Sequence, residues 1–345
     1  MKKIFAALLA LAMLLCAGSA LADGWLPLPD ADSTGNITLE AGKAYMLEDG
    51  GKAIMGVVNV AAGAPVKLHL NGQTLTCQRI TIPQDASLEL YDTQGGTVSG
   101  SGQGVYNYGT FTLHNGEVIG TGSSAKGVSN SNIFVMHGGT VTGESAGVQN
   151  NGDFTMHGGT VTGQEDGVKN YTRFTMHGGT VTGQERRGVH ICEDHAGSFD
   201  SSFTMHGGVV TGASVGVVND DHFTMHGGSV QGGVRGVEGK GVFRISAGTI
   251  TGSAPGSDGR GGAVACYVKD EDKPDTYRLA TEEEYAAFIL PGSRLASGGM
   301  RQAFAVVERI PAPDSLPQTG DASMLMGWVC LLGASAAGLK ARRKK

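Results

Sequence analysis

The chain has 345 residues, 57 of them glycine, with 26 basic and 32 acidic side chains for a formal net charge of −6 at pH 7. An acidic balance argues against nucleic acid or an anionic membrane surface as partner. Abundant glycine beside aromatic and branched residues that persist along the chain excludes a disordered tract and points to many tight turns in a repetitive β structure.

At the N-terminus, Lys2 and Lys3 precede an apolar stretch from Ile4 to Leu15, and Ala20-Leu21-Ala22 has the small-x-small character of a signal-peptidase site. Cys16 follows Leu15, which is too large for a typical lipobox. Residues 1–22 are therefore expected to be a signal peptide, and residues 23–87, which are strand-like, an N-terminal β cap with the first coils of the next region.

Residues 88–252 repeat themselves. The copies read FTLHNGEVIG from Phe111, FVMHGGTVTG from Phe134, and FTMHGGTVTG from Phe154 and Phe174. They continue as FTMHGGVVTG from Phe203, FTMHGGSVQG from Phe223 and FRISAGTITG from Phe243, with a degenerate first copy from Leu88. The spacings from Leu88 are 23, 23, 20, 20, 29, 20 and 20 residues, and a period near 20 is the signature of a solenoid. Within each copy the apolar positions alternate, broken by a Gly-Gly bend, and period two means strand. Each unit adds Gly-Val-x-Asn, as in Gly104 to Asn107 and Gly147 to Asn150, which supplies a third short strand. Three short strands per coil with glycine at the corners predict an all-β fold, a parallel β-helix of about eight coils.

Stacking the coils puts like on like: a phenylalanine column (Phe111 to Phe243), a methionine column (Met136 to Met225), a valine column (Val141 to Val230) and an asparagine ladder (Asn107, Asn130, Asn150, Asn170, Asn219). With the segment Val66 to Leu75, these repeats resemble the right-handed β-helix (pectin-lyase-like) proteins, in particular repeat-rich surface proteins of Firmicutes. The resemblance covers roughly residues 35–252 and implies the fold and its right-handedness, without naming an activity.

Two sets of polar residues stand out on the predicted coils. His114, His137, His157, His177, His206 and His226 fall in register, either as a solvent-facing polar column copied with the repeat or as a capture site for Zn²⁺ or Cu²⁺. No metal ligand and no cofactor is assigned. The 29-residue coil carries an insertion from Cys192 to Ser202, and insertions loop onto one face of a solenoid. Glu193, Asp194 and His195 there, with Asp220, Asp221 and His222 on the neighbouring coil, form a candidate ligand corner. Carboxylates beside histidines can hold a cation or exchange protons, yet no lyase or polygalacturonase motif is present and no catalytic residue is assigned. A second acidic turn holds Glu144, Glu165, Asp166, Glu185 and Arg187.

Residues 253–310 are expected to cap the solenoid, with strands at 263–268, 277–280 and 303–309 and a short helix opened by Thr281-Glu282-Glu283-Glu284 at capping-box spacing. A linker of five residues, 311–315, follows. Then come Leu316-Pro317-Gln318-Thr319-Gly320, an apolar run from Ser323 to Leu339, and Lys340, Arg342, Arg343, Lys344 and Lys345. This run is at the short limit for a membrane span, with its basic tail on the cytoplasmic side. The three pieces together resemble the sorting signal of sortase substrates in Gram-positive bacteria, Leu-Pro-any-Thr-Gly. The resemblance implies cleavage between Thr319 and Gly320, transfer of the Thr319 carboxylate to a peptidoglycan amine, and loss of residues 321–345.

Removing both ends takes away seven basic residues and one acidic residue, so the net charge of residues 23–319 is −12. Three cysteines stay, Cys77, Cys192 and Cys266, an odd number that allows at most one internal disulfide. The reading is a secreted, wall-anchored surface protein, with sortase and peptidoglycan as partners and the membrane met only in transit. It is expected to be non-enzymatic and to serve adhesion or the binding of a polysaccharide or host glycan. A wall-attached polysaccharide lyase or glycoside hydrolase, and a coat protein with no specific ligand, are the alternatives.

Overall fold

The computed structural model describes residues 24–193, 201–253, 261–270 and 273–310. The expected signal peptide, linker, LPQTG motif and apolar tail lie outside the described residues, as do Asp194 and His195. No helix among the described residues is long and apolar enough to cross a membrane.

The chain winds as a right-handed parallel β-solenoid with three sheets. The phenylalanine sheet has 11 strands, from Leu26–Pro27 to Val242–Ile245. The threonine sheet, built on strands such as Thr140–Gly143 and Thr160–Gly163, has 12. The asparagine sheet, built on strands such as Ala146–Asn150 and Asp166–Asn170, has 12. The solenoid has about ten turns, not eight. The additional turns come from Ile37–Leu39, Ala44–Met46, Lys52–Ala53, Val57–Val60, Val66–His69, Thr74–Cys77 and Arg79–Ile82, which pair in parallel with the strands above them. They keep the in-out alternation without the FTMHGG string, so counting copies of the string misses them.

Register is kept residue for residue. Phe154 pairs with Phe174, Val161 with Val181 and Val168 with Val189. The phenylalanine rings stack nearly parallel from Phe111 to Phe243, with centroids 4.6–5.2 Å apart. Phenylalanine, methionine and valine columns are fully buried, and burying each such side chain stabilises by about 1.5–3 kcal/mol. The second glycine of the bend turns the chain at positive φ, 88° at Gly159, and a Cβ there would come within 2.6 Å of the Gly139 carbonyl oxygen. Only glycine suits both demands.

The asparagines occupy an interior corner and are fully buried. Asn107, Asn130 and Asn150 each donate from Nδ2 to Oδ1 of the next asparagine at 2.7 Å. Each also donates to a carbonyl of the following coil, those of Ile133, Asp153 and Arg173. The ladder breaks once. Ile191 takes the position between Asn170 and Asn219, so Asn219 Oδ1 is buried with no partner. The break falls on the coil that carries the insertion.

At the C-terminal end the parallel pattern reverses. Phe304–Arg309 lies antiparallel to Gly248–Thr251, and Lys273–Leu279 antiparallel to Gly262–Asp270. The strand Ser293–Gly298, which the sequence pattern did not suggest, pairs antiparallel with Phe304–Arg309. The helix Glu282–Ala286 has the expected capping box on Thr281 and Glu284. It delivers Tyr285, whose buried hydroxyl donates to the Val264 carbonyl at 3.2 Å and accepts from the Cys266 amide at 3.3 Å. Phe288 closes the phenylalanine stack edge-on, 6.0 Å from Phe243, and its carbonyl accepts the Ile245 amide.

Asn150→Ala would leave Asn170 Oδ1 without its donor in the interior and deprive the Arg173 carbonyl and Asn130 Nδ2 of one partner each. A loss of about 3 kcal/mol in urea unfolding is expected. Thr155→Ala, on the outer face of the neighbouring strand, should stay within about 0.5 kcal/mol of the parent.

Candidate functional site

The insertion leaves the asparagine sheet after Arg187–Ile191, and the chain returns through Ser201 to the strand Ser202–Met205. The next coil brings Asp220, Asp221 and His222 to the same corner, as the stacking requires. Each described carboxylate there has a partner from the protein itself. Asp221 Oδ2 accepts the Ser201 amide at 2.5 Å and lies 3.1 Å from Ser201 Oγ, while its Oδ1 is 2.5 Å from His222 Nδ1. Asp220 Oδ2 is 3.1 Å from His190 Nε2, and His190 Nδ1 is 3.4 Å from Cys192 Sγ. Glu193 is ion-paired with Lys240, two coils further on. Asp221 and Ser201 thus pin the insertion where it re-joins the solenoid.

His190, Ser201 and Lys240 are parts of this corner that sequence reasoning missed. His190 holds the outward position of its strand, in register with Lys169 and Val218, and Gly-Val-x aligned across coils carries that signal. Beside the corner, a cavity of about 390 Å³ is lined by Val218, Asp220, Glu238, Lys240, Tyr267 and Tyr277. Glu238 is bonded to Arg235, which also donates to the Tyr267 hydroxyl at 3.0 Å.

The second acidic turn resolves into ion pairs between coils. Asp166, buried, takes a two-pronged contact from Arg187 at 2.7 and 2.9 Å, Glu165 faces Arg186 at 3.4 Å, and Glu185 accepts from Gln164 at 2.8 Å. Cys77, Cys192 and Cys266 are all free and buried. Burial pushes their thiols up to about 12, 11 and 12, so they stay protonated and unreactive.

The six histidines form one continuous stack on the outside of the phenylalanine sheet. Their ring centroids are 4.9–5.2 Å apart and the planes are tilted by 6–20°. Tyr91 extends the stack beyond His114 at 4.3 Å, and His226 ends it with Nδ1 2.9 Å from Ser246 Oγ. Two metal–nitrogen bonds of about 2.0–2.1 Å span at most about 4.2 Å. Near-parallel rings about 5 Å apart therefore hold like nitrogens too far apart for a shared Zn²⁺. No group of three or more His, Cys, Asp or Glu among the described residues is arranged to hold a metal ion.

Partial burial, followed by the neighbouring imidazoles, holds His157 and His206 below the usual histidine range; at His114 burial is again the largest cause and His137 the next. Comparison of the chain with protein-family models, with curated proteins and with solved structures found no match.

A folded-state pKa below the unfolded value of about 6.5 means that the unfolded chain takes up protons first as pH falls. Stability contributed by these three histidines is complete above that value and declines below it. Melting by circular dichroism should therefore show a Tm that drops between pH 7.5 and pH 5, and a smaller drop when His157 and His206 are replaced by glutamine. At the corner, Asp221→Ala should cost about 2 kcal/mol by leaving the Ser201 amide without an acceptor, with proteolysis accelerating between residues 192 and 201.

Proposed function

We propose that this is an exported surface protein, linked to peptidoglycan through Thr319, whose solenoid presents ligand-binding faces and performs no catalysis. The observation that carries the reading is the order LPQTG, apolar run and basic tail at 316–345, matched by a cleavable leader at residues 1–22. Sortase is then the enzyme and this chain its substrate, and the five residues 311–315 keep the solenoid close to the wall. A glycan of the wall or of a host surface is the ligand class that fits an acidic, threonine-rich and aromatic-flanked exterior.

The corner geometry supports the non-enzymatic part. A general acid or base must reach its substrate, whereas Asp221 is spent on Ser201 and His222 and Glu193 on Lys240. The rival, a polysaccharide lyase or hydrolase, is favoured by one observation: Asp220 and Glu238 line the same cavity with Tyr267 and Tyr277.

In a sortase-bearing Gram-positive host, the parent chain should be found in detergent-extracted peptidoglycan and be freed only by a muralytic enzyme. Thr319→Ala should move it to the membrane and the medium. A Thr319→Ala chain that is still wall-linked would overturn the anchoring. Incubation with polysaccharides should yield neither new reducing ends nor unsaturated products. Turnover abolished by Asp220→Ala would establish the rival.

A further inference from the structure

In the regular coils a strand of the asparagine sheet ends, the chain turns a corner within a few residues, and a strand of the phenylalanine sheet begins. Arg235–Gly239 gives way to Val242–Ile245 in this manner. The strand Gly262–Asp270 breaks the rule. It is in register with its predecessor, Gly239 opposite Cys266, yet it has nine residues where its predecessor has five. It runs straight on and folds back as a hairpin with Lys273–Leu279. Val242–Ile245 is therefore the last strand of the phenylalanine sheet, and only its end is covered. Ile289 bridges Ile245, whose amide and carbonyl are taken by the Phe288 carbonyl and the Leu290 amide. Above the start of the strand, the corner that the missing turn would have filled is a cavity of about 430 Å³. That volume lies within the roughly 300–1,000 Å³ of small-molecule sites.

The walls of this corner are apolar and aromatic. Val242 and Tyr277 border it at 43% and 47% exposure, unusually open for side chains of their kind. Val268, Phe288 and Tyr267 complete the walls. The two tyrosines are already held: the Tyr267 hydroxyl accepts from Arg235 at 3.0 Å, and Lys240 Nζ stands 5.9 Å from the centre of the Tyr277 ring. The charged residues of the lining are Lys240, Arg244 and Lys269, with no carboxylate among the described residues. Asp220 and Glu238 belong to the neighbouring cavity. Lys240 is ion-paired with Glu193. Arg244 and Lys269 have no acidic partner among the described residues. Two uncompensated cations are an exception on a chain whose residues 23–319 carry −12. Beside apolar walls they select an anion with an apolar body.

We propose that the vacant corner at the C-terminal cap binds a small aromatic carboxylate. The ring of the ligand packs on Val242, Val268 and Phe288 beside the two tyrosines, and Arg244 and Lys269 hold its carboxylate. Aromatic walls favour a ring over an alkyl chain, through offset and edge-on contacts. A bare inorganic anion would leave those walls unfilled. An added peptide strand is excluded, because the segment through Ile289 already occupies the strand edge at Ile245. The site is independent of wall linkage and of any glycan bound along the coils.

The test uses residues 23–319, the processed chain, with 2-naphthoate followed by fluorescence anisotropy at pH 7. Saturable binding of one naphthoate per chain is expected, with neutral 2-naphthamide at least about tenfold weaker. Arg244→Gln and Lys269→Gln should each weaken binding about three- to fivefold, and Val242→Asp should abolish it by placing a like charge in the corner. All three side chains are exposed, so the variants should keep the parent's melt, and Lys126→Gln, on another part of the solenoid, should bind as the parent does. No binding at up to about 1 mM naphthoate, equal binding of the amide, or undiminished binding by a folded chain carrying both Arg244→Gln and Lys269→Gln would each overturn the proposal. Displacement of naphthoate by decanoate at lower concentration than by unlabelled 1-naphthoate would overturn the aromatic assignment, and equally effective displacement by inorganic phosphate would overturn the role of the apolar walls.

Discussion

Everything in this molecule follows from parallel strands stacked in exact register at one spacing. A parallel ladder repeats at about 4.8 Å, and the chain returns to the same angular position after about 20 residues, so each side chain meets its own kind in the next coil. Inside, that gives unbroken phenylalanine, methionine and valine columns and the amide ladder from Asn107 to Asn170. Outside, the same constraint lines up six imidazoles at the coil repeat. A repulsive arrangement on protonation is thus a consequence of the packing inside, since a slip by one residue would exchange the two faces.

The same constraint explains where irregularity is tolerated. The insertion after Cys192 lies on the coil where the amide ladder lapses, with Ile191 in an asparagine position and Asn219 Oδ1 left unpartnered. Asp221 and Ser201 then tie the returning chain to the next coil. The corner acids therefore act first as fasteners. Open cavities lie beside this corner, at Tyr267 and Tyr277, and elsewhere on the solenoid, as at Arg79 and Gln103.

The fold was legible in the sequence wherever the FTMHGGTVTG string recurs, because the string records both the alternation and the register. It was less legible in residues 37–87, where the alternation survives without the string; those strands raise the coil count from eight to about ten. Ser293–Gly298 was invisible because nearly all of it is exposed and it carries no apolar period. At the candidate site, Asp220, Asp221 and His222 were legible as one corner. Their partners His190, Ser201 and Lys240 were not, since those contacts depend on how a 29-residue coil closes. The cap helix was legible down to its capping box, a purely local signal.

Register is the premise on which the columns, the ladder and the histidine stack all stand, and it can be measured by cross-linking. Thr155 and Thr175 are direct partners on adjacent coils. Their Cα separation, near the strand spacing of about 4.8 Å, lies within the roughly 4.4–6.8 Å that a disulfide bridges. Thr204 is one coil further on, at about twice that distance. In residues 23–319, on which the test is run, the native cysteines are Cys77, Cys192 and Cys266, all buried, and they do not compete. The chain carrying Thr155→Cys with Thr175→Cys should close an intramolecular disulfide under mild oxidation, seen as a mass two hydrogens lighter. The chain carrying Thr155→Cys with Thr204→Cys should keep both thiols free. Equal cross-linking of the two pairs, or bridging of the second alone, would contradict the stacked register.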